Sequence, residues 1–196
     1  MKVNLISAVL LFALAGCGKD KQSTNELITV DVTKNYPEKE LTLQDFMDVE
    51  YIPLETNDEF VTQGKVMAIG AEVILITNWA NDGNLFVFDR KTGKALKKIN
   101  RKGQGGEEYV GITEIVLDEA NKEIFVIAYT GSKISVYDLD GNFKRSFKAA
   151  GTESHVNTFN YDRENLISYV PDNSLENPSN AIPPYYLIFS KQDGSI

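Results

Sequence analysis

From Lys65 onward, short apolar runs alternate with polar stretches that carry Gly, Asp or Asn. The first four runs are residues 66–69, 73–77, 85–89 and 95–100. The next four are 112–117, 123–128, 133–138 and 143–148, and three more follow at 156–161, 166–170 and 185–190. Runs of this length, rich in β-branched and aromatic residues and bounded by turn formers, predict strands joined by hairpins. One stretch serves as the template, Leu85-Phe86-Val87-Phe88-Asp89-Arg90-Lys91-Thr92-Gly93-Lys94. It returns as Ile134-Ser135-Val136-Tyr137-Asp138-Leu139-Asp140-Gly141-Asn142 and as Tyr186-Leu187-Ile188-Phe189-Ser190-Lys191-Gln192-Asp193-Gly194-Ser195. The turn glycines Gly93, Gly141 and Gly194 stand 48 and 53 residues apart. Four short strands in about 40–50 residues is the period of a propeller blade.

The second strand of each of the first two units, 73–76 and 124–128, is continuously apolar rather than alternating. A sheet packed between two neighbours is buried on both faces and need not alternate, whereas a sandwich leaves one face of each sheet in water. The pattern therefore predicts an all-β chain, a β-propeller of four-stranded antiparallel blades. The blades fall at approximately 62–100, 110–149 and 155–196. The third lacks its last strand, so about two and three-quarter blades are present.

Before the first blade, residues 27–32 form a strand candidate. Residues 35–40 predict a loop around Pro37, and 41–47 a short helix with Thr42 or a neighbour as cap. Tyr51-Ile52-Pro53-Leu54-Glu55-Thr56 is expected to be extended, because Pro53 biases Ile52 away from helix.

The N-terminus has a different pattern. Met1-Lys2 is a short basic start, and residues 3–14 are mostly apolar but too few to span a bilayer. Leu14-Ala15-Gly16-Cys17 follows and resembles a bacterial lipobox. Residues 1–16 then read as a lipoprotein signal peptide, Cys17 as the lipid attachment site and 17–26 as a polar, flexible tether. Residue 18 is Gly rather than an inner-membrane retention aspartate, so an outer-membrane lipoprotein is expected, on its periplasmic or its surface side. Cys17 is the sole cysteine, which excludes an internal disulfide and a Cys-based zinc site. The formal net charge is −8, and removal of Lys2 with the leader makes it more acidic. That argues against nucleic-acid partners and against a polybasic membrane patch, so the membrane would be held through lipid alone.

The connector Asn100-Arg101-Lys102-Gly103-Gln104-Gly105-Gly106-Glu107-Glu108-Tyr109 resembles the Gly-rich blade link of NHL-like repeats. It is closer to the six-bladed β-propeller lipoproteins of Gram-negative gut bacteria. That family's pattern has Gly where Asn100 stands, Pro at Gly106 and Gly at Glu107. The family also carries a Tyr-Ile-Pro-Leu-Glu-Thr segment before its first blade, matched in full by residues 51–56. The resemblance implies a lipid-anchored propeller of six blades, of which this chain would be an N-terminal half. Two expectations follow: an early-stopped fragment, or a half-propeller that self-associates through its open blade edge.

Candidate chemistry is sparse. Gly103-Gln104-Gly105-Gly106 is followed by neither Lys-Ser/Thr nor a helix start, so it reads as a tight connector rather than a phosphate loop. Asp138-Leu139-Asp140-Gly141-Asn142 is expected to be hairpin-turn chemistry rather than a calcium loop. His155 is the only histidine and supports neither a His-rich metal site nor a catalytic triad. Trp79 sits in a loop with Asn78, Asn81 and Asp82. An exposed Trp beside amides suits carbohydrate stacking, but packing against a neighbouring blade is the commoner fate. Residues 171–184, rich in Pro, Asn and Ser, form a long loop of the kind that often carries binding.

The expected function is a binding or interaction module for a glycan, peptide or protein partner, with ligand contacts at Trp79, Asn78 and Asn81 and no cofactor, catalytic residue or metal. The alternative is a fragment of a propeller hydrolase or lyase with a central metal, inactive in this form.

Overall fold

The computed structural model describes residues 29–128, 133–149, 156–171 and 184–196. Cys17, His155, the turn at 130–132 and most of 171–184 lie outside them. Two compact units divide at residue 49.

In the first unit, the described part of the strand expected at 27–32 is not a strand. Asp31 Oδ1 accepts hydrogen bonds from the backbone N–H and the hydroxyl of Thr33, and Lys34 N–H returns to the Asp31 carbonyl. These local bonds make a turn that competes with a ladder, and Val30 and Val32 are exposed. The helix expected at 41–47 is one 3-10 turn, Leu43–Asp45. Asp45 Oδ2 accepts from the Thr42 backbone N–H at 2.8 Å.

The described residues of the second unit form eleven strands. They are β1 Lys65–Ile69, β2 Val73–Thr77, β3 Asn84–Asp89, β4 Ala95–Asn100, β5 Glu114–Asp118, β6 Glu123–Ile127, β7 Ile134–Asp138, β8 Phe143–Phe147, β9 Val156–Asn160, β10 Asn165–Val170 and β11 Tyr185–Ser190. They form three antiparallel sheets in meander order: β1–β4, β5–β8 and β9–β11. This is the predicted architecture, two four-stranded blades and one with three strands.

β2, β3, β6 and β7 are almost wholly buried because both faces of their sheets are covered. Val73, Leu75, Leu85 and Val87 of the first sheet pack with Ile115, Ile124, Val126 and Tyr137 of the second. Phe125, Ile127, Ile134 and Val136 of the second pack with Leu166, Val170, Leu187 and Phe189 of the third. The sheets thus stack in chain order. β10 and β11 alternate between buried and less buried positions. Their second face carries Ile167, Tyr169, Tyr186 and Ile188 and has no fourth sheet upon it among the described residues.

Each third-to-fourth-strand turn presses on the segment before it. Gly93, Gly141 and Gly194 have φ of +69°, +83° and +75°, which L side chains rarely adopt. A Cβ on Gly141 would meet Ile99 at 2.9 Å, and one on Gly194 would strike Phe147 and the Lys148 carbonyl. One on Gly93 would strike Ile52 and the Pro53 carbonyl. Ile52 therefore stands before blade 1 where Ile99 stands before blade 2 and Phe147 before blade 3. The match continues: Tyr109 meets Tyr137 edge-on at 5.9 Å, and Phe60 meets Phe88 at 5.8 Å. Phe60 and Leu54 cover the outer face of blade 1, packing with Ile74, Ile76, Phe86 and Phe88. The extended 51–56 segment, with Glu55 N–H on the Gly93 carbonyl at 2.8 Å, serves as the tail of a preceding blade.

Candidate functional site

The second strands end and the third strands begin on one rim of the stack. The turn from β2 to β3 rests on the 101–112 connector: Lys102 Nζ donates to the Asn81 carbonyl at 2.7 Å, and the Tyr109 hydroxyl to that of Gly83 at 2.7 Å. Lys133, at the head of β7, donates to the carbonyls of Gly106 and Glu108 at 2.7 and 2.9 Å. Gly103-Gln104-Gly105-Gly106 is the tight connector expected. Gly103 N–H bonds the Tyr109 carbonyl, Tyr109 N–H bonds that of Arg101, and Glu108 Oε2 accepts from Gly105 N–H at 2.8 Å.

The Trp79 loop is tied to the segments on either side of it. Asn78 Oδ1 accepts from Gln63 N–H at 2.8 Å and from the Thr62 hydroxyl at 3.1 Å, while its Nδ2 donates to Asp82 at 2.8 Å. Asn81, in the left-handed region with φ 49°, accepts from Ile112 N–H at 2.9 Å. Burial disfavours the charged form of Asp82, but hydrogen bonds from Asn78 and Asn84 outweigh it and hold the carboxyl below its usual range. Trp79 projects from this frame 70% exposed, with Lys65 Nζ 5.3 Å from its ring centroid. Among the described residues no neighbouring blade packs on it. The side-chain oxygens of Asn78 and Asn81, residues named above as ligand contacts, tie the Trp79 loop to Thr62 and Gln63 and to Ile112.

A second concavity, about 950 Å³, runs along the first strands β1, β5 and β9, lined by Met67, Leu117, Asp118, Phe159, Tyr161 and Lys191 among others. At its wall lies an ion pair that the sequence did not signal. Lys191 Nζ donates to Asp118 Oδ2 at 2.6 Å and to the Asp162 carbonyl at 2.7 Å, and both side chains are buried. Burial opposes ionisation of Asp118, but hydrogen bonds from Lys191 and Asn121 prevail and lower its pKa. Neighbouring carboxylates also bond to structure. Glu119 accepts from the N–H groups of Ala71 and Glu72 at 2.6 and 2.8 Å, and Glu123 forms a two-pronged pair with Arg145 at 2.8 and 2.7 Å. Asp138 is turned onto Asp140 and Asn142, the hairpin chemistry expected of it. Among the described residues no group of three or more His, Cys, Asp or Glu is placed to hold a metal ion.

A family described as 6-bladed beta-propeller matches residues 18–196. A solved structure of a Bacteroides fragilis NCTC 9343 protein, provisionally described as exported, is similar at 21% identity and a TM-score of 0.56. The similarity covers 78% of this chain and 42% of that one, so the chain spans well under half of that protein's length. Likeness at this identity shows the fold alone. Two further structures are more distant. KlHsv2 with loop 6CD replaced by a Gly-Ser linker has 15% identity over 52% of this chain and 32% of its own, with a TM-score of 0.40. The computationally designed Ika4 protein has 16% identity over 74% of this chain and 99% of its own, with a TM-score of 0.36. No curated protein matches this chain.

Proposed function

This chain belongs to the 6-bladed β-propeller family, and from that premise we propose that it is a lipid-anchored envelope module that binds a partner, a glycan before a peptide or protein, at the rim around Trp79. The observation that carries the reading is the exposed indole, held out by a loop tied down at Gln63, Lys102 and Ile112. Removing water from an aromatic face by stacking a sugar ring on it is favourable, and a rigid loop keeps the ordering cost small. Lys65 beside the ring would favour a sugar with an anionic substituent. The carboxylates described above point the same way: they bond to backbone and cations, which fits a scaffold role.

The anchor rests on the sequence, on Leu14-Ala15-Gly16-Cys17. The lipidated cysteine would supply more than one acyl chain, as stable anchoring requires. The export noted for the Bacteroides protein supports an envelope location. Two measurements test the reading. Cells fed a palmitate analogue should label the chain, and Cys17→Ser should abolish the label and release the protein from the membrane fraction. On an array of envelope oligosaccharides the chain should retain specific glycans, and Trp79→Ala should lose at least 10-fold in affinity. An unlabelled chain, or retention indifferent to Trp79, would remove the corresponding half of the proposal.

A further inference from the structure

The charge of this chain is unevenly placed. Its formal net charge is −8, yet residues 90–102 carry seven Lys or Arg and no Asp or Glu. The fold lays this run along one border of the first sheet: the β3–β4 turn, then β4, then the start of the connector. β4 is the last strand of its sheet and pairs with β3 alone among the described residues. Lys91, Lys94, Lys97 and Lys98 are exposed. Between them Leu96 is the extra residue of a bulge, since Phe88 pairs with Ala95 and Val87 with Lys97. Leu96 is itself 52% exposed. The acids that reach this border are few and largely engaged. Glu50 meets Arg90 at 3.8 Å, and Asp140 meets Lys97 at 3.3 Å. Glu55 accepts from Ala95 N–H, and Asp89 from Lys91 and Thr92 N–H. The ammonium groups of Lys91, Lys94 and Lys98 have no ion pair or hydrogen bond among the described residues. Lys98 Nζ stands 5.8 Å from the Phe86 ring centroid. The matching strand of the second sheet, β8, differs, because its Lys144 and Arg145 both close on Glu123. One or two lysines serve to keep an edge strand from pairing. Cations that continue through the turn and into the connector exceed that need.

We infer that this strip docks on a membrane leaflet that contains anionic phospholipid. Each cation held near such a surface adds to the attraction, and a basic patch supplements the hold of an acyl chain. Leu96 gives the strip an apolar side chain to place at the headgroup boundary. The rest of the chain is acidic and is repelled by the same surface, so attraction is confined to one orientation, with the β4 border toward the lipid. The net charge, which argues against a polybasic patch, is an average that conceals this hairpin. The inference rests on the envelope reading only for the presence of a membrane, and it is independent of what Trp79 binds.

The processed chain, from residue 17 on with Cys17→Ser, carries no acyl group and so tests the strip apart from the anchor. At low salt it should sediment with phosphatidylcholine vesicles that contain about one-third phosphatidylglycerol, and about 0.5 M salt should release it. Lys91→Gln, Lys94→Gln and Lys98→Gln together should lower that binding at least ~10-fold. The same change of charge at Lys34, Lys122 and Lys148 should lower it less than ~3-fold. Trp79→Ala should bind as the parent does. All variants should keep the parent's far-ultraviolet circular dichroism spectrum. Equal losses in the two triple variants, a loss with Trp79→Ala, equal retention on phosphatidylcholine alone, or retention on heparin but not on vesicles would overturn the inference.

Discussion

Lys191 and Asp118 show how much of this fold's charge chemistry is tertiary. They lie 73 residues apart and meet at 2.6 Å, both buried. Lys191→Met would leave the Asp118 carboxylate buried with only Asn121 as side-chain donor. Removing one partner of a buried pair costs about 3–5 kcal/mol, and urea unfolding should show a loss of that order. Asp118, Glu123, Glu119, Asp82 and Asp138 all have lowered pKa values in the fold. Groups depressed in this way contribute stability that is present above their unfolded pKa of about 4 and lost as pH falls through the folded value. The thermal midpoint should therefore hold from pH 7 to about 5 and decline below pH 4. Asp118→Asn should shallow that decline, and a midpoint that rises on acidification would contradict the linkage. Apart from the hairpin turn at Asp138, none of these pairings was legible in the sequence. Lys191 occupies a turn position held by Arg90 and Leu139 in the other two blades, so the repeat gave no hint of it. The same holds for Asn78 and Asn81. Their amides looked available because their partners, Gln63 and Ile112, are fixed only by folding.

At the scale of the element, what repeats is a turn and the surface it presses on. Gly93→Ala meets two penalties: a left-handed φ that costs an L residue about 1–2 kcal/mol, and a Cβ driven into the Pro53 carbonyl. A loss of more than about 2 kcal/mol is expected. A Cβ on Gly106 would meet nothing within 4 Å, and the φ there is not positive. Gly106→Ala in the connector should therefore change stability by less than about 0.5 kcal/mol. Equal effects would mean that the 51–56 segment does not hold blade 1. The strands were legible because turn glycines recur at a blade's period and the middle strands are apolar throughout. Residues 27–32 misled because composition reports strand propensity and not the presence of a partner. Residues 51–56 were expected to be extended, and the structure adds the reason: their side chains take the place of a preceding blade's outer strand.

Across the whole molecule, three stacked sheets have unlike ends. One is covered by Leu54 and Phe60, and the other leaves Tyr186 and Ile188 open. The rim between these ends carries Trp79 on a loop anchored at both Gln63 and Ile112, so the indole is displayed on a rigid scaffold and not on a loose tip. Its location was legible as a loop aromatic; its exposure was not, since that depends on whether a neighbouring blade reaches it. Trp79 is the chain's only tryptophan, which makes the central claim directly observable. Titrating the chain with envelope oligosaccharides while recording intrinsic emission should give a saturable blue shift, with protection of the indole from iodide quenching at the same midpoint. Binding that leaves both the emission and the quenching unchanged would contradict the assignment of this rim as the binding site.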